Sequence, residues 1–156
     1  MIAAMTVAPK PAVVLVEDDP IQMNALRLLV QRRFPSAELI PITCEQQFLQ
    51  SLEVGCLAPA KAIVMDCHLD WSDRSSVFED GDHTPYLAGI RCLKAMQVYP
   101  ELSGVPVLFR NLMNTRNVMA AAKAFEGAIR CFGKDSDDDE DLLRYLGGWL
   151  SVEVQN

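Results

Sequence analysis

Three short apolar segments of this 156-residue chain stop at residues able to do chemistry. Ala12 to Val16 (AVVLV) runs into Glu17, Asp18, Asp19 and Pro20; Ala62 to Met65 (AIVM) runs into Asp66; Ala128 to Phe132 (AIRCF) is followed by Gly133, Lys134 and Asp135. Crowded carboxylates repel one another and favour a hard divalent cation. Mg²⁺ takes one or two carboxylates together with waters and phosphate oxygens. A lysine facing them can neutralise a phosphoryl group, and a carboxylate can be the nucleophile that accepts one. If folding brings the three segment ends together, these residue types make an acidic Mg²⁺ site with an aspartyl phosphate.

The elements that must bring them together follow from periodicity. AVVLV and AIVM read as strands buried on both faces. Leu39 to Ile42, Val105 to Phe109 and Ala128 to Phe132 complete a set of five strands. Helical patterns alternate with them. Asp19 and Pro20 form an N-cap and first-turn pair for a helix carrying Ile21, Ala25, Leu28 and Leu29 up to Arg33. Thr43 with Gln46 suggests a capping box before Phe48, Leu49 and Leu52. Thr84-Pro85 opens a helix with Leu87, Ile90, Leu93 and Met96; Asn114 or Thr115 caps one with Val118, Met119, Ala122 and Phe125; Ser136 caps the last, with Leu142, Leu146, Trp149 and Leu150 on one face. Five strands alternating with five helices predict a single α/β domain, a five-stranded parallel sheet covered on both faces. Its strand C-termini share one edge, where ligands bind. The domain is expected over residues 12–152, after a flexible tail over 1–11.

Composition narrows the function classes. Half of the residues are apolar, so the chain has material for a core, and no apolar run is long enough to span a membrane. The net charge of −7 is a poor basis for direct nucleic-acid binding. Most of the 21 acids fall in three segments: Glu17 to Asp19 with Asp66, Asp70 to Asp82, and Asp135 to Asp141. The last run reads as first-turn acids favouring a helix dipole. Five cysteines, an odd number without a CxxC pair, indicate small apolar side chains in a reducing cytoplasm rather than a disulfide framework.

VLVEDDP, IVMD, PVLF and CFGK, in this order over about Ala12 to Leu150, resemble the receiver domain of two-component response regulators, the CheY-like family. The resemblance implies a doubly wound five-stranded parallel sheet of (βα)5 flavodoxin-like topology and phosphorylation of Asp66, with Mg²⁺ bound by Asp18, by Asp66, by Glu17 through water and by the backbone carbonyl of His68. It implies that Lys134 contacts the phosphoryl group. Asp19 reads as a helix cap rather than a ligand. The implied activity is phosphotransfer from a histidine kinase or phosphotransfer protein, self-catalysed with autodephosphorylation, and not that of a conventional enzyme. A stand-alone cytoplasmic regulator would then signal through a downstream protein target, with a homodimer through the last helices and strand five.

The chain also departs from that family. Asn111 stands where a Thr or Ser usually reports phosphorylation, and Cys131 where an aromatic switch residue is usual. Asp135 replaces the usual proline after the lysine, and Arg110 occupies a normally apolar strand position, where it either pairs with nearby acids or marks a register shifted by one. The segment over residues 67–83 is a long acidic insertion beside the phosphoacceptor strand, a lid or docking element in prospect. His68 and His83 lack the spacing of a metal site. Asn111, Cys131 and Asp135 favour an alternative, a phosphorylation-independent pseudo-receiver acting as an interaction module; Glu17, Asp18, Asp66 and Lys134 favour the phosphoacceptor. A haloacid-dehalogenase-like phosphatase is disfavoured, because Asp66-Cys67-His68 is not a DxD.

Overall fold

The computed structural model describes residues 10–73, 85–112 and 115–151. Five strands form one parallel sheet: β1 (Ala12–Val16), β2 (Glu38–Ile42), β3 (Ala60–Met65), β4 (Val107–Asn111) and β5 (Ile129–Gly133), in the order β2-β1-β3-β4-β5. Five helices connect and follow them: α1 (Pro20–Arg33), α2 (Glu45–Glu53), α3 (Ala88–Met96), α4 (Thr115–Ala122) and α5 (Ser136–Ser151), with a 3₁₀ turn at Pro100–Leu102 before β4. This is the parallel sheet covered on both faces that the alternation predicts, in the doubly wound topology that the resemblance implies. The order reverses between β1 and β3, so the loops after those strands diverge and leave a crevice at their carboxyl ends.

The sheet separates two cores. Val14, Val16, Ile63, Met65, Val107 and Phe109 point towards α2, α3 and α4. Val13, Leu15, Ala62, Val64 and Leu108 point towards α1 and α5. Strands β1 and β4 are buried along their whole length; β1 accordingly reads as an unbroken apolar run, whereas β4 ends in the buried polar residues Arg110 and Asn111. Edge strand β2 carries Pro41, exposed, which blunts that edge against further pairing. Among the described residues no helix is long and apolar enough to cross a membrane.

Several local expectations are corrected. Helix α1 buries Met23, Leu26 and Val30, whereas Ile21 and Leu28 are exposed. The cap of α2 is Cys44, whose Sγ accepts from the Gln47 N–H; Thr43 lies one residue outside, and its own N–H donates to the Gln47 side chain. Helix α3 starts at Ala88, after Leu87 in the left-handed region (φ 56°), rather than at Thr84-Pro85. Thr84, His83 and Asn114 lie outside the described residues, as do residues 1–9 of the expected tail; Pro11 accepts from the Glu38 N–H and is tied to the sheet. The N-cap of α5 is Asp135, whose Oδ1 accepts from the Asp138 N–H, not Ser136. Trp149 is 36% exposed and not on the α5 core face, which Leu142, Leu143 and Leu146 supply. Four of the five cysteines are buried or partly so, and burial pushes the Cys67 thiol up to about 12 and that of Cys131 up to about 11.

Helix α3 meets the end of β3 at Gly89. A Cβ there would lie 2.8 Å from the Cys67 Cα and 2.9 Å from the Asp66 carbonyl oxygen, while the Gly89 N–H donates to the Cys67 carbonyl at 2.9 Å. Glycine thus permits the backbone contact that fixes the chain beside Asp66. Gly89→Ala is expected to destabilise the fold by about 1–3 kcal/mol through overpacking, read as a lowered midpoint in urea; an unchanged midpoint would show that the contact can yield.

Candidate functional site

The carboxyl ends of β1, β3 and β5 bring their following residues to one cleft of about 340 Å³, lined by Glu17, Asp18, Asp19, Gln22, Asp66, His68, Leu112 and Lys134. Strand direction alone decides this, since residues directly after parallel strands must emerge on the same edge. Lys134 reaches furthest in. Its Nζ donates to Asp66 Oδ2 at 2.6 Å and to Glu17 Oε2 at 2.8 Å, with only 5% of the lysine side chain exposed. Carboxylate oxygens of Glu17, Asp18 and Asp66 lie within 4.8 Å of one another.

Each carboxylate has a backbone partner that orients it. The Asp19 N–H donates to Glu17 Oε1 (3.1 Å), the His68 N–H to Asp66 Oδ1 (3.0 Å) and the Asp70 N–H to Asp18 Oδ2 (2.9 Å). Asp19 itself caps α1, accepting from the N–H groups of Ile21 and Gln22, as its position before Pro20 predicts. Three acids face one ammonium. Burial, reinforced by the charge of Asp66 and only partly offset by Lys134, raises the Glu17 carboxyl to about 7. Burial pulls the Lys134 ammonium down, but its hydrogen bonds to Asp66 and Glu17 outweigh this and hold it above its ordinary value.

Glu17, Asp18, Asp66, His68 and Lys134 therefore meet as the spacing predicts. Asn111 is next to the cleft but does not line it. It is 1% exposed, and neither its Nδ2 nor its Oδ1 has a partner among the described residues. Such orphaned buried groups carry a full desolvation cost. Cys131 is half-buried and pairs across the sheet with Phe109, two steps before the Asn111–Gly133 pair. Arg110 confirms its register: its guanidinium donates to both oxygens of Asp139, from Nε at 2.7 Å and from an η nitrogen at 3.2 Å.

The first residues of the long insertion are built into the fold. Leu69 is fully buried, and its N–H donates to the Pro85 carbonyl. The Asp70 and Trp71 carbonyls accept from the Glu45 and Gln46 N–H groups, satisfying donors that the start of α2 leaves open. Glu45, 1% exposed, pairs with Arg91 of α3, Nε to Oε1 at 2.7 Å, and Arg91 also donates to the Tyr86 carbonyl. This pair holds both stems of the insertion; sequence reasoning missed it, since nothing local links residues 46 positions apart. Residues 74–83 of the insertion, including Glu79, Asp80 and Asp82, lie outside the described residues.

No family model and no curated relative matches the chain. Solved structures do. The chain is similar to the chemotaxis response regulator CheY4 of Vibrio cholerae (17% identity, TM-score 0.64, covering 91% of this chain and 100% of that one). It is similar to the N-terminal domain of a response regulator/sensory box/GGDEF protein from Carboxydothermus hydrogenoformans (14%, TM-score 0.63, 91% and 95%). It is also similar to the Mn²⁺-bound form of response regulator Rcp1 (21%, TM-score 0.60, 92% and 96%). At these identities the likeness is one of fold: the chain has the CheY-like receiver fold.

Because Glu17 titrates near 7 when folded, above its ordinary 4.5, the folded state binds the extra proton between those values. The metal-free protein is thus expected to lose stability as pH rises from about 4.5 to about 7 and to stay lower above that. Glu17→Gln keeps an acceptor for Lys134 but not the charge. Urea midpoints at pH 5 and pH 8 check this: the wild type should fall more than the variant, and an equal fall in both would refute it.

Proposed function

We propose that this chain is the phosphoacceptor receiver of a two-component phosphorelay, taking a phosphoryl group from a phosphohistidine onto Asp66. The observation that carries the reading is the Lys134 ammonium buried between Asp66 and Glu17, with Asp18 completing a cluster of hard oxygen donors. That donor set, with more negative charge than one lysine balances, fits a divalent cation. Asp18 and Asp66 would hold Mg²⁺ directly, Glu17 through water, and the His68 carbonyl would supply a further oxygen. When bound, the ion neutralises charge on the transferring phosphoryl group.

The remaining steps belong to the protein. An Asp66 carboxylate oxygen attacks phosphorus, the P–N bond of the donor breaks, and the imidazole nitrogen leaves with the bonding pair. Lys134 then exchanges a carboxylate oxygen for a phosphoryl oxygen as its partner. The buried Asn111 amide has an uncommitted N–H donor that the new group can engage. Its shape differs from that of the usual hydroxyl, and Cys131 cannot gate as an aromatic would, so the switching step is the part in which this chain departs from the family that its sequence resembles. The output is contact with a downstream protein, in the reducing compartment that five free cysteines suit; a homodimer through α4, β5 and α5 belongs to the same reading.

A pseudo-receiver is the second reading, favoured by Asn111 and Cys131. A small phosphodonor with Mg²⁺ separates the two. Wild type is expected to gain the mass of one phosphoryl group, Asp66→Asn to gain none, and chelation to abolish the gain. A folded, Mg²⁺-binding wild type that gains no mass from any donor would support the interaction module instead.

A further inference from the structure

The acidic run from Asp135 to Asp141 extends from the N-cap of α5 beyond its first turn, which holds Asp137, Asp138 and Asp139. Asp135 caps the helix, Glu140 pairs with Arg33, and Asp141 with Arg144, the two pairs being at the surface. The other two bonded acids are half-buried and turn inwards. Asp138 Oδ2 accepts from the Gly133 N–H at 2.7 Å. Asp139 takes both ends of the Arg110 fork, and Arg110, 4% exposed, also donates to Gln22 Oε1 at 3.4 Å.

These bonds grip two strand ends at one level of the sheet. Asn111 of β4 pairs with Gly133 of β5, and Arg110 with Phe132. Lys134 directly follows the gripped Gly133. A Cβ at position 133 would come within 2.6 Å of Asp138 Oδ2, so glycine is what lets the carboxylate close on the backbone. An arginine in an interior strand is costly unless a carboxylate meets it, as Asp139 does. The side-chain bonds of Asp138, Asp139 and Arg110 go to the Gly133 amide, to one another and to Gln22; the grip acts on the chain that carries Asn111 and Lys134. Where the family that the sequence resembles stiffens this turn with a proline after the lysine, this chain has Asp135 and a set of carboxylate bonds.

We propose that Asp138 and the Arg110–Asp139 pair are positioning residues for phosphoryl transfer, holding Lys134 on Asp66 and setting the height of Asn111 beside it. The inference rests on the receiver reading for the reaction that it affects. Phosphoryl uptake from phosphoramidate at saturating Mg²⁺ is timed by intact-protein mass, and Mg²⁺ affinity is measured separately by calorimetry. Asp138→Ala should slow uptake by roughly 10-fold or more, since small misplacement of a reacting group is costly. Its Mg²⁺ affinity should stay at the wild-type value. Asp138→Asn, which keeps an acceptor for the Gly133 N–H, should restore the rate. Arg110→Met with Asp139→Leu leaves no lone buried charge and should also slow uptake, which keeps the test decisive if Asp138→Ala does not fold. Wild-type rates in these variants, or an equal loss in Asp138→Asn, overturn the proposal. If the wild type accepts no phosphoryl group at all, the receiver reading has failed, and hydrogen exchange at the Gly133 amide decides the positioning role: protection lost in Asp138→Ala and kept in Asp138→Asn supports it, and protection unchanged in both overturns it.

Discussion

The buried ammonium of Lys134, bonded at once to Asp66 and Glu17, is the interaction to which the rest of the structure answers. Three carboxylates crowd the ends of two adjacent strands, where burial makes each uncompensated charge expensive. One lysine from a third strand, β5, offsets part of that charge. Burial, reinforced by the neighbouring charge of Asp66, raises the proton affinity of Glu17.

Much of the surrounding architecture maintains that balance. Gly89 lets α3 approach the Asp66 backbone, and the Asp70 N–H holds one oxygen of Asp18. The Glu45–Arg91 pair anchors the stems of the segment that supplies Asp70, while Asp138 and Asp139 grip the strand ends next to Lys134. Buried pairs of this kind contribute little net stability, yet removing one partner costs about 3–5 kcal/mol because the other charge is stranded. They favour one arrangement of the loops over competing ones, which is what a site made of separate strand ends requires.

Helix α1 illustrates where pattern reading loses precision. Ile21, Ala25, Leu28 and Leu29 have helical spacing, but so do Met23, Leu26 and Val30, and only the second set meets the sheet. Both stripes are compatible with a helix, and the choice depends on how α1 lies against β1 and α5. The caps of α2 and α5 moved by one residue for a similar reason: Cys44 and Asp135 reach the open N–H groups in the actual geometry, although Thr43 is a better capping type than Cys44 and Ser136 as good a one as Asp135. The acidic run after Lys134 shows the same limit more sharply. Helix-dipole reasoning treats its members alike, whereas the fold gives Asp138 a backbone amide, Asp139 a buried arginine and Glu140 a surface one.

What the amino-acid order determined by itself is the alternation of strands and helices, and with it the meeting of Glu17, Asp18, Asp66 and Lys134. Those residues sit directly after parallel strands, so local pattern and strand direction are enough to place them. What only the tertiary structure decided is which side chains act in pairs: Glu45 with Arg91, Arg110 with Asp139, the Asp70 amide with Asp18, and Asn111 with no partner among the described residues. Side chains far apart in sequence find each other only when packing sets helix rotation and loop height to within an ångström or so, and no local periodicity encodes that.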